Sequence, residues 1–274
     1  MSKEKESRSE MARQKTGIVE LDAMLHGGFL ERDAVMVAGS AGTGKTTLAL
    51  QHLVNGITKF GEPGIYLTFE QLPDQIYRDA ENFGWDLRKL EQQDKFRLVC
   101  TSPDLLLEPD GTGQLLDSSI KEIQPRRMVI DSLNHLEMYL PRGGDMRKEA
   151  YRILNYVKTK GISPLAIWET QQSAGQAFSV TDVGMSFLVD CILLLKFVEI
   201  ESAMRKALVI MKMRGSDHEK ELKEYAITPQ GFRIQGGFSE YEGVMSGIPH
   251  KVASEKFVDM FRTASDKHKN ATSH

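Results

Sequence analysis

Eight consecutive residues, Gly39-Ser40-Ala41-Gly42-Thr43-Gly44-Lys45-Thr46, have the types and spacing that hold a chain of phosphates. Glycines let successive backbone N–H groups turn inward into a nest, and a helix starting near Thr46 adds its unpaired N–H groups and the positive end of its dipole. In such a loop Ser40, Ala41, Gly42, Thr43 and Gly44 bring main chain to the phosphates. Lys45 reaches the β- and γ-phosphates, Thr46 gives its hydroxyl to Mg²⁺, and Thr47 donates to the α-phosphate. The apolar run Ala34-Val35-Met36-Val37-Ala38 precedes it, and Leu50, Leu53, Val54 and Ile57 follow at helical spacing. That strand–turn–helix context separates a Walker A phosphate site from a glycine-rich turn that binds nothing. A nucleoside triphosphate, ATP or GTP, with Mg²⁺ is the expected ligand.

Two carboxylates could complete a hydrolytic centre. Arg127-Met128-Val129-Ile130-Asp131-Ser132 is an apolar run ending in an acid, the form of a Walker B strand, and Asp131 at its tip could hold the Mg²⁺ hydration shell. A helix-capping Asp is the alternative. Glu70 follows Ile65-Tyr66-Leu67-Thr68-Phe69 and could orient or deprotonate a water attacking the γ-phosphorus; a solvated charge after a strand is the alternative. Lys212 and Arg214 flank Met213, so alternation along a strand points both cations to one face. They could stabilise charge on a transferring phosphoryl group, although spacing alone favours a solvated strand face.

The elements that position these groups alternate. Strands are predicted at 34–38, 65–69, 96–100, 128–131 and 165–168, with helices over 46–60, 73–84, 113–123 and 145–160. Such alternation predicts an α/β fold with a parallel sheet and right-handed crossovers, and ligands bind at the carboxyl edge of its strands. From Cys191 onward strands without long helices are expected, at 191–196, 206–213, 222–227 and 232–234, as antiparallel additions to one edge.

The 274 residues suit one domain with tails. Residues 1–15 read as a solvated arm without a secretory signal, 16–250 as the domain, and 251–274 as a tail with a short amphipathic stretch through Phe257, Met260 and Phe261. A formal net charge of −3 offers no global basic field for nucleic acid or an acidic membrane. No apolar run approaches the ~18 residues of a membrane span. Cys100 and Cys191 read as core thiols of a reducing compartment, which makes the cytoplasm the expected location.

Taken together these residues resemble the KaiC-type domains of the RecA-like P-loop ATPase superfamily. The resemblance runs from Thr16-Gly17-Ile18-Val19-Glu20-Leu21-Asp22 and Gly27-Gly28, through the glycine loop, Glu62-Pro63-Gly64, Thr68-Phe69-Glu70 and Asn82-Phe83-Gly84-Trp85-Asp86-Leu87. It continues with Ile130-Asp131-Ser132, Lys212-Met213-Arg214-Gly215 and Tyr241-Glu242-Gly243-Val244-Met245-Ser246-Gly247. It implies a RecA-like fold, hexameric rings with ATP between subunits, and a neighbour's nucleotide touched by Lys212, Met213, Arg214, Ser216 and His218. It also marks Asn82 and Thr228 as adenosine-side contacts. Three departures stand out: Gln71 replaces the second of two adjacent glutamates, Pro229 replaces an Asp, and one domain stands where the clock protein has two. Gln71 can hold a water but cannot take its proton, which implies slow turnover.

The leading expectation is thus an oligomeric, Mg²⁺-dependent ATPase whose nucleotide state controls contacts with an unidentified regulatory protein. A nucleotide-gated interaction module with incidental hydrolysis is a second reading. A recombination-type DNA binder is a third and is not favoured, because 141–148 and 171–184 lack interleaved aromatic and basic residues.

Overall fold

The computed structural model describes residues 12–140, 142, 144–170, 185–245 and 250–251. Most of the predicted N-terminal arm, the loop at 171–184 and the tail beyond Lys251 lie outside the described residues.

The chain opens with β1 (Arg13–Gln14) and β2 (Phe29–Leu30), a short antiparallel ribbon that brackets α1 (Val19–Met24). β3 (Val35–Gly39), α2 (Lys45–Phe60), β4 (Gly64–Thr68), α3 (Pro73–Glu81), α4 (Leu87–Gln92) and β5 (Phe96–Cys100) follow. Next are α5 (Pro103–Leu107), α6 (Gly111–Ile123), β6 (Arg127–Asp131), α7 (His135–Tyr139), α8 (Met146–Thr159) and β7 (Ser163–Glu169). β8 (Cys191–Ile200), β9 (Ala203–Met213), β10 (Lys223–Thr228) and β11 (Gly231–Gly237) complete the main sheet, and β12 (Tyr241–Glu242) pairs with β13 (His250–Lys251).

Nine strands form one sheet in the order β11-β10-β9-β8-β3-β7-β6-β4-β5. The run from β8 to β5 is parallel, and β9, β10 and β11 extend it antiparallel beyond β8. Each run read as a strand from sequence is one strand of this sheet. Alternation then sends each strand's side chains into two separate cores, as a sheet covered on both faces requires. Val35 and Val37 face the layer containing α2 and α3, whereas Met36 and Ala38 face the layer containing α6 and α8.

The four longer helices lie where periodicity placed them. α1, α4, α5 and α7 span only five or six residues, too short to show a period. The helix expected to reach residue 84 stops at Glu81, because Gly84 adopts φ +74° and Trp85 N–H turns back to Ala80 O. One expectation is corrected: Cys191 is buried, but Cys100 is exposed, since β5 is the sheet's outer strand. Both thiols are free.

The Thr16-Gly17 segment proves to be a brace. Asp22 accepts from Thr16 N–H (2.7 Å), Thr16 Oγ1 (2.8 Å) and Gly17 N–H (3.1 Å), and Gly17 adopts φ +73°. A second brace lies under α2. Arg127 is fully buried, donating to Glu62 Oε2 (2.7 Å) and His52 O (3.0 Å). Only a glycine fits at 56, where a Cβ would sit 2.4 Å from Arg127 Nε. Burial, then the Arg127 charge, push the His52 imidazole well below its ordinary pKa, so it stays neutral.

At the other edge of the sheet, Asp33 and Asp190 precede the adjacent strands β3 and β8. Asp190 Oδ2 accepts from Ala34 N–H (2.9 Å) and Lys158 Nζ (2.8 Å). Burial opposes the Asp190 anion, yet Lys158, the Ala34 amide and Arg214 hold its pKa below the usual carboxylate range. Asp33 Oδ2 is buried without a hydrogen-bond partner among the described residues; burial and the Asp190 charge raise its carboxyl to about 6.

Removing one member of the Arg127–Glu62 pair strands a buried charge, so Glu62→Ala should lower unfolding free energy by about 3 kcal/mol in urea titrations. Asp33 has the opposite sign. Its folded pKa lies above the unfolded value, so its ionised form costs stability above about pH 6, and that cost is relieved as pH falls toward 4. Asp33→Asn should therefore stabilise the fold at pH 7.5 by about 1–3 kcal/mol, with the gain closing near pH 4.5 in thermal unfolding.

Candidate active site

β3 lies inside the parallel part of the sheet, so its carboxyl end opens between β7 and β8, and the glycine loop fills that opening. Gly42 and Gly44 adopt φ +77° and +97°. A Cβ on Gly39 would come 2.4 Å from Leu195 O, and one on Gly44 2.8 Å from Ile227 Cδ1. The loop thus lies flush against β8 and β10, and glycine is what permits it. Thr43 Oγ1 ties back to Ser40 O (2.8 Å), and Tyr225 OH donates to Thr43 O (2.6 Å).

Lys45 begins α2 and folds over the loop, donating to Ser40 O at 2.9 Å with Glu169 Oε2 at 3.8 Å. Burial lowers its pKa, while Glu169 and Asp131 oppose that shift. A carbonyl and an exposed carboxylate occupy the ammonium that a phosphate would engage. Glu169 ends β7 and pairs in register with Gly39.

Thr46 Oγ1 donates to Asp131 Oδ2 at 3.0 Å, and Tyr66 OH donates to the same oxygen at 2.6 Å. Burial raises the Asp131 pKa, against the pull of Tyr66, Thr46 and Lys45. Thr46 and Asp131 present hard oxygen donors beside the phosphate nest, the set that suits a largely hydrated Mg²⁺ sharing its shell with a nucleotide. Among the described residues there is no cluster of three or more His, Cys, Asp or Glu to form an all-protein metal cage.

β4 and β6 are neighbours, with Thr68 opposite Asp131, so Glu70 emerges beside that carboxylate. Its Oε2 lies 3.2 Å from His135 Nε2, and His135 Nδ1 lies 3.0 Å from Ser132 Oγ. Gln71 is one residue further, its N–H donating to Thr68 Oγ1 at 3.3 Å. Gly44, Lys45, Thr46, Glu70, Asp131 and Glu169 surround a cavity of about 440 Å³, with Ala41, Gly42, Thr47 and Gln71 also on its wall.

Four groups here went unread in the sequence: Tyr66, His135, Glu169 and Lys206. Tyr66 looks like a core strand residue, and it is fully buried. Glu169 had a usable signal, an acid at the tip of a predicted parallel strand, the same rule that selected Glu70 and Asp131. Lys206 reaches Gly42 O (3.1 Å) from β9 and lines the cavity. Only tertiary register brings it there.

The remaining predicted site residues lie elsewhere. Asn82 follows α3, and Thr228 ends β10; neither lines the cavity. They belong to neighbouring segments, since a Cβ on Gly231 would meet Trp85 at 2.9 Å. Thr228 Oγ1 donates to Gly231 O and accepts from Gln230 N–H, closing the β10–β11 turn.

Lys212, Met213 and Arg214 are at the opposite edge of the sheet. β9 is antiparallel, so Met213 pairs with Cys191, which pairs with Val35 at the start of β3. Val35 to Gly39 is about 13 Å of strand rise. Lys212 Nζ donates to Ser186 O (2.5 Å) and Val189 O (2.6 Å), while Arg214 Nη1 lies 3.6 Å from Asp190. The Met213 side chain is buried in the core, leaving its main chain for any ligand. Ser216 Oγ accepts from Arg13 (2.6 Å), and the buried His218 Nδ1 has no partner among the described residues. In one copy of the chain, then, these residues and the glycine loop cannot share a phosphate.

Comparisons with known proteins identify the family. The family model described as "ATPase: KaiC" matches residues 14–237. Circadian clock oscillator protein KaiC of Nostoc sp. is 34% identical over 255 residues, covering 93% of this chain and 48% of the relative. The KaiC proteins of Prochlorococcus marinus and Thermostichus vulcanus are 33% and 32% identical, over 92% and 94% of this chain. The chain spans about half the length of these curated relatives. With a RecA-like sheet, a glycine loop at the end of β3 and a family match over most of its length, this chain belongs to the KaiC family of P-loop ATPases.

Proposed function

We propose that the chain is a cytoplasmic, Mg²⁺-dependent ATPase that assembles head to tail and signals its nucleotide state to a regulatory protein partner. The observation that carries this reading is the separation of the two halves of the site. One sheet edge holds the glycine loop, Lys45, Thr46, Glu70 and Asp131, and the other holds Lys212 and Arg214 about 13 Å away along the strands. A heterologous contact apposing these two edges supplies the missing cations in trans, and repetition with closure gives a ring, six-membered by family resemblance.

In that assembly the loop amides and Lys45 bind the β- and γ-phosphates of ATP. Thr46 and Asp131 would hold Mg²⁺ through its hydration shell, and the ion would supply positive charge to the phosphate oxygens. Thr46 and Asp131 orient that shell, and Tyr66 fixes the Asp131 carboxylate. Glu70 accepts the proton of the attacking water at its free oxygen. Lys212 and Arg214 of the adjoining copy stabilise charge on the transferring phosphoryl group. Asn82 and Thr228 mark the adenosine side, and Ser216 and His218 lie with the trans cations. Gln71 beside Glu70 supplies no second base, consistent with slow turnover and a switch-like role.

Light scattering with and without Mg·ATP, with phosphate release followed in the same samples, tests the proposal. A ring that hydrolyses ATP is expected, and Lys45→Ala and Arg214→Ala should each lose on the order of 10²-fold in turnover. Mixing the two variants should restore activity, because a Lys45→Ala copy can lend its Arg214 to the intact glycine loop of an Arg214→Ala copy. A mixture as inactive as its components would overturn the shared site.

A further inference from the structure

We infer that His135 is the positioning residue that aims the Glu70 carboxylate, a role that rests on Glu70 being the base of the proposed reaction. Glu70 needs such a holder. Its side chain is 71% exposed on the loop after β4, where a flexible carboxylate has many rotamers open to it. His135 Nε2 at 3.2 Å grips Oε2 and leaves Oε1 to accept the water's proton.

The grip is itself over-determined. Ser132 Oγ lies 3.0 Å from His135 Nδ1, and His135 N–H donates to Ser132 O at 3.3 Å. A serine hydroxyl both donates and accepts, so Nδ1 is satisfied in either protonation state of the ring, and Nε2 keeps the hydrogen that Glu70 accepts. The segment is then clamped to β7. Leu133 N–H donates to Ile167 O (3.1 Å), Asn134 Nδ2 donates to Glu169 O (2.9 Å), and Glu169 N–H donates to Asn134 Oδ1 (2.7 Å).

The same five residues therefore carry the metal carboxylate at Asp131 and, at His135, the group that orients the base. Asp131 and the group that aims the base cannot drift independently, because one clamped segment places both. This arrangement compensates for Gln71: with a single carboxylate able to take the proton, its orientation has no backup.

The test is steady-state ATP hydrolysis by the full chain, with mant-ATP binding and light scattering on the same preparations. H135A should lower kcat about tenfold while KM stays within about twofold, the signature of a misaimed catalytic group. H135Q, whose amide can donate to Glu70, should recover much of that loss. E70Q should be inactive yet bind mant-ATP, and E70Q/H135A should be no slower than E70Q. If H135A does not fold, H135Q and H135M, similar in size, make the same comparison of donor against no donor. Wild-type kcat in H135A beside an inactive E70Q overturns the positioning role and leaves the base assignment standing. A raised KM with unchanged kcat also overturns it, placing His135 in nucleotide binding. Wild-type turnover in E70Q overturns the base assignment itself, and this inference with it.

Discussion

Everything in this molecule depends on a backbone approach that only glycine allows. The loop after β3 runs between the carbonyl of Leu195 on β8 and the side chain of Ile227 on β10, with less than 3 Å for any Cβ at Gly39 or Gly44. Held there, the loop runs straight into the start of α2, whose first N–H groups are the ones a phosphate would meet. The rest of the sheet serves that approach. β8 and β7 flank β3 in register, and Tyr225 ties the loop carbonyl at Thr43 to β10.

The acids follow from the same geometry. In a parallel sheet every strand ends on one edge, so acids at the tips of β4, β6 and β7 gather without any being close in sequence. Environment then sorts them. Asp131 is buried and tied to Thr46 and Tyr66, which suits a fixed metal carboxylate. Glu169 faces Lys45, and Glu70 is exposed on a loop with His135 3.2 Å away. Three carboxylates at three strand tips thus have three different sets of partners.

The antiparallel extension gives the protein its asymmetry. Because β9 reverses direction, it carries Lys206 to the glycine loop and Lys212 with Arg214 to the far edge. Those far cations rest on the carbonyls of Ser186 and Val189 and beside Asp190. The two groups of cations therefore sit on opposite edges of one sheet, and the proposed head-to-tail contact is the one that would bring them together.

Much of this was legible in the residues. The strand order of types, the helices α2, α3, α6 and α8, the glycine loop, Asp131 and Glu70 all follow from local patterns, because buried strands must be apolar and phosphate loops must be glycine-rich. The brief helices escaped because five or six residues make less than two turns, too few for a period to show, and Cys100 was misplaced because nothing local says which strand lies outermost. The sequence by itself determined where the glycine loop and the strand-end acids lie and which family the chain resembles. Only the tertiary structure decided that Tyr66 braces Asp131, that Lys206 reaches the loop from β9, that His135 holds Glu70, and that Lys212 and Arg214 face away from their own glycine loop. Those facts depend on strand order, direction and register, which distant segments set jointly and no short stretch encodes.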